Sequence, residues 1–234
     1  MRKYLSRVAE GRVNTGRDRI DLRRFRLVTI DQDGTIYKTE PLLIIAKALG
    51  RKKEVDELQR MWEEGRISGT TSLRGQFGVL EGMTIRQLRV HMRKVRPING
   101  IKQFVKLLQG FGLRVVLLTD NPSCIANFAL KLGFQDIICS HSELSSKDVI
   151  RGTDYPLVQK APALTVYCKK NRIGLDQCLH IGNGANDVPI FNRVGASIAL
   201  NPESKKVRLT ADFWLNANSI LDLTRFFANE SLNQ

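Results

Sequence analysis

Residues 25–35, which read FRLVTIDQDGT, decide the fold. A short run of apolar and β-branched residues ends at Asp31 and Asp33, and Gly34 follows at once. Such a run is typical of a buried parallel strand, and the glycine lets the chain turn away from the sheet. Ligands of open α/β sheets bind at the carboxyl ends of strands, where both acids would lie. Two close carboxylates raise each other's pKa, so a cation or a shared proton is expected between them. Taken alone, the pattern fits an Asp-Gly turn after a strand equally well.

Polar residues also follow two later apolar runs. One run ends at Thr119, and another is followed by residues 182–187, which read GNGAND. Lys160 stands before a predicted helix between these two points. Because the carboxyl ends of parallel strands meet at one edge of a sheet, these groups can share a pocket with the two aspartates. Each residue alone is explained as well by a helix cap, a turn or a surface lysine.

Together these groups suit phosphoryl transfer. Asp31 can attack phosphorus, and Asp33 can protonate the leaving oxygen and then activate water. Thr119 and Lys160 can hold the negative charge on the transferred group. A hard divalent cation, Mg²⁺, would let the anionic nucleophile approach an anionic substrate.

The order of the predicted elements indicates an α/β protein. After residue 97 strands and helices alternate, which predicts a mostly parallel sheet, with residues 141–159 as a hairpin at its edge. Residues 38–97 have only helical patterns, as expected for a lid beside the first motif. Residues 1–22 are rich in arginine and predict a basic N-terminal arm; a solvated, locally packed lead-in remains open.

The composition limits the partners. The net charge of +14 and the pI near 10 fit nucleic acid, an anionic surface, phosphorylated substrates or a merely solvated basic surface. No nucleic-acid motif accompanies the charge, so nucleic acid is not expected as a partner. No apolar run is long enough for a membrane span, and no signal-peptide pattern follows residue 6. The four cysteines lack metal or redox spacing and His180 lies in a strand-like run, so reduced thiols, a packed histidine and a cytoplasmic location are expected.

The four motifs occur in the order found in the haloacid dehalogenase (HAD) superfamily, and the chain resembles its phosphoserine phosphatase group. The resemblance runs from about Arg26 to the C-terminus and includes a helical cap in the expected position. It implies a Rossmann-like core of HAD type, with a mostly parallel sheet, at residues 23–37 and 98–234. The inserted α-helical cap would be residues 38–97.

The resemblance also implies roles for the core residues. Asp31 corresponds to the nucleophile and Asp33 to the acid/base. Mg²⁺ would be held by the Asp31 carboxylate and the Asp33 backbone carbonyl. Asp187 corresponds to the acid that supports either the metal site or Lys160.

The substrate-binding residues are less complete. Asn186 corresponds to a residue that helps to hold the phosphate, and Glu40 to a glutamate that contacts the substrate amine. The arginine that clamps a substrate carboxylate in this group falls at Gln76. Arg74, on the same predicted helix, is a candidate substitute for that arginine.

Two further departures affect the chemistry. The last motif of the group begins Gly-Asp with a metal-binding aspartate, and here that residue is Asn183. An amide oxygen can still bind Mg²⁺, but one negative charge is lost. The small residue that follows the second-motif hydroxyl is Asp120, which adds a carboxylate beside the phosphate.

Two functions therefore follow. The first is a Mg²⁺-dependent phosphomonoester hydrolase that acts on a small phosphorylated metabolite through an aspartyl-phosphate. The alternative is a catalytically weakened HAD-fold binding or regulatory protein, which Asn183, Asp120 and the basic arm suggest.

Overall fold

The fold is a seven-stranded sheet flanked by helices, seen in a computed structural model that describes residues 19–228. The strand order is β4-β3-β2-β1-β5-β6-β7, and neighbours are parallel except β3 and β4. The predicted α/β class and mostly parallel sheet are confirmed. The strands are β1 (Leu27–Ile30), β2 (Arg114–Pro122), β3 (Asp136–Leu144), β4 (Ile150–Tyr155), β5 (Cys178–Gly182), β6 (Ala196–Leu200) and β7 (Phe213–Leu215).

The central strand is β1, as the buried run of the opening motif predicts. All four of its residues are buried, and Leu27 is in register with Arg114 of β2 and Cys178 of β5. Because β1, β2 and β5 are parallel neighbours, the residues that follow their carboxyl ends come together at one edge.

The helices of the described residues fall into two groups. The first group lies within residues 38–97 and consists of α1 (Pro41–Ala48), α2 (Lys52–Glu63), α3 (Gly69–Phe77) and α4 (Ile85–Met92). After these come α5 (Ile101–Gly110), α6 (Ser123–Ala126), α7 (Lys160–Lys170), α8 (Val188–Phe191) and α9 (Lys205–Thr210). Short 3₁₀ helices occupy Leu22–Arg24, Gly78–Leu80, Asn127–Leu132, Leu175–Gln177, Ala185–Asp187 and Ile220–Phe226.

Residues 38–97, here called the helical segment, contain α1 to α4. Pro41 opens α1, where its missing N–H costs nothing, and Thr84 with Gln87 forms a capping box at α4. The two connections to the sheet run side by side, since the Ile98 N–H donates to the Ile36 carbonyl at 2.8 Å. The proposed division into core and cap at these residues stays a prediction.

Several boundaries differ from those that the sequence indicates. Strand β2 continues past Thr119 to Pro122, and β3 extends to Leu144 because it pairs with β4 in the predicted edge hairpin. Residues 123–132 form α6 and a 3₁₀ helix in succession rather than one continuous α-helix.

The ends of the described chain pack together. Most of the predicted basic arm lies outside the described residues. At the end of that arm Ile20 is buried, and its N–H donates to the Phe226 carbonyl at 2.7 Å. The four cysteines are free thiols, and none of the described helices has the length and apolarity to cross a bilayer.

Candidate active site

Three predicted residues from separate parts of the chain meet in one buried cluster, and a fourth, Thr119, lies in the neighbouring strand. Asp31 follows β1, and its N–H donates to the Ile181 carbonyl of β5 at 2.8 Å. Lys160, the first residue of α7, donates from Nζ to Asp31 Oδ1 and, at 3.1 Å, to Asp187 Oδ1. Thr119 is also fully buried, in the neighbouring strand β2. The parallel register of β1, β2 and β5 accounts for this convergence.

The Lys160 ammonium is held between two carboxylates and is only 2% exposed. Burial alone would lower its pKa, but Asp187 and Asp31 raise that pKa above its ordinary value. Burial raises the pKa of Asp31 to about 7, against the opposing effect of Lys160. Asp187 is also buried, yet Lys160 and then His180 hold its pKa below the ordinary value, so it stays ionised.

Asp187 organises the loop that carries the last motif. Its Oδ2 accepts the N–H groups of Asn183 at 2.9 Å and Gly184 at 3.0 Å. Its Oδ1 accepts from Lys160 and lies 3.2 Å from His180 Nε2. Each carboxylate oxygen thus already has two partners, which fits the supporting role toward Lys160. Direct metal binding by Asp187 stays a prediction.

Asp33 differs from Asp187 in that only one of its carboxyl oxygens has a hydrogen-bond partner in the described part of the chain. Its Oδ2 accepts from Asn121 Nδ2 at 2.7 Å, while its buried Oδ1 has no hydrogen-bond partner among residues 19–228. Burial, then Asp120 and Asp31, raise the pKa of Asp33 well above its ordinary value. Asn121 was missed at the sequence level; its one signal was its place in the polar turn after Thr119.

Thr35 joins the two oxygens that best suit a metal ion. Its hydroxyl lies 3.2 Å from Asp31 Oδ2 and 3.1 Å from Asn183 Oδ1. Gly34 makes room for the amide, since a Cβ there would lie 2.1 Å from Asn183 Nδ2. Carboxylate and amide oxygens are the hard donors that Mg²⁺ prefers, so the residues present fit that ion. Over residues 19–228, no group of three or more His, Cys, Asp or Glu side chains is arranged to hold a metal.

Acidic side chains surround the outer part of the cluster. Asp120 Oδ2 accepts from Asn186 Nδ2 at 3.2 Å, and Glu203 Oε1 accepts the Ala185 N–H at 2.6 Å. Burial, then Asp120 and Glu203, raise the pKa of Glu40. Glu203 was also missed, because it lies well beyond the last motif.

The two candidates from the helical segment have partners of their own. Arg74 is exposed, and its Nη2 donates to the Asp154 carbonyl of β4 at 3.2 Å. Gln76 is buried, and its Nε2 donates to Ser72 Oγ at 2.8 Å and Gln59 Oε1 at 3.1 Å. Neither makes a described hydrogen bond to the Asp31 cluster, and their substrate contacts stay predictions.

Comparison with known proteins defines the class. The haloacid dehalogenase-like hydrolase family matches residues 28–192, and the chain belongs to that family. Asp31, Thr119, Lys160 and Asp187 all lie within the matched region. The predicted resemblance is therefore confirmed at the level of the family.

The particular relatives are phosphatases. The chain is 27% identical over 214 residues to a phosphoserine phosphatase of Albidiferax ferrireducens, covering 87% of this chain and 90% of the relative. It is 23% identical over 178 residues to a phosphoserine phosphatase of Methanocaldococcus jannaschii, covering 74% and 84%. The chain is thus a phosphatase-type hydrolase similar to phosphoserine phosphatases, as predicted.

Solved structures share the fold. A HAD family hydrolase of Salmonella enterica superimposes with a TM-score of 0.78 at 18% identity, covering 87% of this chain and 71% of the other. A phospho-aspartyl intermediate analogue of phosphoserine phosphatase gives a TM-score of 0.71 at 21% identity, covering 87% and 99%.

Proposed function

We propose that this protein hydrolyses a small phosphomonoester through an aspartyl-phosphate on Asp31, with Mg²⁺ as cofactor. The observation that carries the proposal is the buried arrangement of Asp31, Lys160 and Asp187 at the carboxyl end of β1. It presents one carboxylate beside a fixed cation, as nucleophilic attack on an anionic phosphate requires. The relatives' names support the same reaction class.

The first half of the reaction forms a bond between an Asp31 oxygen and phosphorus. The bond from phosphorus to the leaving oxygen breaks, and the Asp33 carboxyl gives its proton to that oxygen. Asp33 suits this step because its raised pKa keeps the proton in place before the reaction. In the second half Asp33 accepts a proton from water as that water attacks phosphorus. The Asp31–phosphorus bond then breaks and releases phosphate.

Thr119 and Lys160 hold the charge on the transferred group. Thr119 Oγ1 accepts the Asn121 N–H at 3.1 Å, so the hydroxyl proton is free to donate to a phosphoryl oxygen. The ammonium of Lys160 is fixed before the substrate arrives, which lowers the cost of reorganisation in the transition state.

Asp31, the Asp33 carbonyl and Asn183 would hold Mg²⁺, which would neutralise charge between the nucleophile and the phosphate. Asn183 contributes a neutral oxygen where the family has a carboxylate, so we expect binding weaker than in a site with an aspartate at this position.

The substrate is proposed only by class. Phosphoserine is the substrate in the relatives' names. Burial, then Asp120 and Glu203, raise the pKa of Glu40, and these neighbouring acids support a substrate that carries an amine. Gln76, in contrast, supplies no positive charge for a substrate carboxylate. We therefore propose a small phosphorylated metabolite, with phosphoserine as the first one to test.

The test compares Mg²⁺-dependent hydrolysis of p-nitrophenyl phosphate, phosphoserine and other phosphate esters by wild type and Asp31→Asn. Asp222→Asn, at an exposed carboxylate away from the cluster, is the matched control. Hydrolysis by wild type and Asp222→Asn but not by Asp31→Asn is expected. Equal rates in wild type and Asp31→Asn would reject the proposal. Phosphate and Mg²⁺ binding without turnover by wild type would favour the binding-protein alternative.

A further inference from the structure

His180 lies beneath the site in the middle of β5 and is fully buried. A purely packed histidine was expected there, and its ring does lie against Phe191, with centroids 5.6 Å apart. Both ring nitrogens nevertheless have polar partners. Nδ1 is 2.8 Å from Thr29 Oγ1 of β1, and Nε2 is 3.2 Å from Asp187 Oδ1. Packing alone requires neither contact.

The partners determine which nitrogen carries the proton. Asp187 is ionised and can only accept, so His180 Nε2 must donate to it. In the neutral ring Nδ1 then has a lone pair, and the Thr29 hydroxyl donates to it. Asp187 thereby sets the proton on Nε2, and Thr29 holds the orientation of the ring, in the way that a second shell of hydrogen bonds orients site ligands.

A continuous path of contacts leads from this ring to the nucleophile. Asp187 Oδ1 receives His180 Nε2 and Lys160 Nζ, and Lys160 in turn contacts Asp31. The loop amides of Asn183 and Gly184 fix only the other oxygen, Oδ2. His180 is therefore the donor, besides Lys160 itself, that defines where Oδ1 lies.

We propose that His180 is a positioning residue of the proposed hydrolase: through Nε2 it fixes Asp187 Oδ1, and through that oxygen it places the Lys160 ammonium against Asp31. The proposal rests on the proposed function for its kinetic consequence. Its geometric content is independent of that function, because the path of hydrogen bonds exists without substrate.

The kinetic test compares His180→Leu with His180→Gln. Leucine fills the space without a donor, whereas the glutamine amide can still donate to Asp187. Second-shell deletions typically cost 10–100-fold, so we expect kcat for p-nitrophenyl phosphate to fall by roughly 10–100-fold in His180→Leu, with KM little changed. His180→Gln should recover most of that loss, and Thr29→Val should lose less than His180→Leu.

Two controls separate positioning from packing. Leu179→Ala removes a fully buried neighbour on the same strand outside the site, and it should lower Tm without lowering kcat at a temperature where the protein is folded. In an Asp187→Ala background, which has no side-chain acceptor for His180 or Lys160, His180→Leu should have no further effect on kcat, because its route of action is already broken. An equal loss of kcat in both backgrounds, or equal kcat in the Leu and Gln variants, would overturn the proposal.

Nuclear magnetic resonance gives a readout that needs no turnover. In metal-free wild type the His180 ring should show a protonated Nε2 that is hydrogen-bonded to Asp187. The side-chain signal of the buried Lys160 should shift in His180→Leu and return in His180→Gln. A ring protonated at Nδ1 alone, or a Lys160 signal unchanged in His180→Leu, would refute the geometry. Absence of hydrolysis in wild type with these signals present would instead reject the proposed function alone.

Discussion

The candidate residues at the carboxyl ends of the strands, here called the sheet edge, have different surroundings from those in the helical segment. At the sheet edge Asp31, Lys160 and Asp187 are buried and bonded to one another. In the helical segment Arg74 bonds the backbone of the edge hairpin, and Gln76 bonds its own helix and the one beside it. Strand register fixes the first group, whereas helix rotation and packing fix the second. The candidate catalytic residues are therefore positioned by the sheet, whereas the candidate substrate-binding residues Arg74 and Gln76 are positioned by helix packing.

The largest effect is expected from removing the buried cation. Lys160→Met leaves the carboxylates of Asp31 and Asp187 facing each other, so the free energy of unfolding at neutral pH should fall by about 3–5 kcal/mol. Lys169→Met, at an exposed lysine of the same helix, should change it by less than about 0.5 kcal/mol. Urea denaturation of both variants measures this. If both variants lost the same small amount of unfolding free energy, the buried lysine would contribute no more to stability than the exposed one, which would contradict the account.

Asp33→Asn should have an effect that depends on pH. The pKa of Asp33 is raised in the folded protein, so between about pH 4 and that pKa the folded state keeps a proton that the unfolded state has lost. Raising the pH through this window therefore destabilises wild type, by about 1.4 kcal/mol for each unit of raised pKa.

The amide variant lacks this titration. Its Tm relative to wild type should rise from pH 4 to pH 8 when measured with a chelator present. Asp222→Asn should show no such trend. A relative Tm of Asp33→Asn that is constant or falls with pH would contradict a protonated Asp33.

Asn183→Asp should have a smaller effect, which is confined to the affinity for Mg²⁺. Restoring a carboxylate beside Asp31 adds a charged oxygen ligand, so the Kd for Mg²⁺ should fall on the order of tenfold. Calorimetric titration of Mg²⁺ measures it, with the exposed Asn192→Asp as control. An unchanged Kd would mean that position 183 does not contact the ion and that the ligands come from elsewhere in the sheet edge.

Arg74→Ala should have the smallest effect and bears on the helical segment. If Arg74 replaces the missing carboxylate clamp, its loss costs up to about 1 kcal/mol, as for an exposed ion pair, and KM for phosphoserine rises by up to roughly fivefold. KM for p-nitrophenyl phosphate, which has no carboxylate, should not change. Equal changes for both esters would exclude Arg74 from substrate recognition.

The sequence predicted the sheet edge well because its signals are local. A buried run that ends in Asp31 sets both a strand and the position of its last side chain, and the same holds for Thr119 and the loop 182–187. It could not predict that Asn121 would bond Asp33, because this contact depends on β2 continuing past Thr119.

The other omissions have a similar cause. Glu203 approaches the last motif through a backbone contact of Ala185, which no spacing in the sequence encodes. His180 was interpreted as packing because burial is the usual fate of a residue in a central strand. Its polar contacts come from the neighbouring strand β1 and from a loop, and only the assembled sheet brings them together.

The most direct test of the account is to trap the phosphorylated enzyme. The p-nitrophenolate leaving group needs little protonation, so Asp33→Asn should still form the phosphoenzyme from p-nitrophenyl phosphate. Because the variant lacks the base that would activate water, the phosphoenzyme should accumulate and be trapped by an acid quench. Borohydride reduction and peptide mass spectrometry should place it on Asp31, with no label in the Asp31→Asn/Asp33→Asn double variant. A phosphoryl group found on another residue would contradict Asp31 as the nucleophile. Turnover by wild type with no trapped phosphoenzyme in Asp33→Asn would contradict it as well.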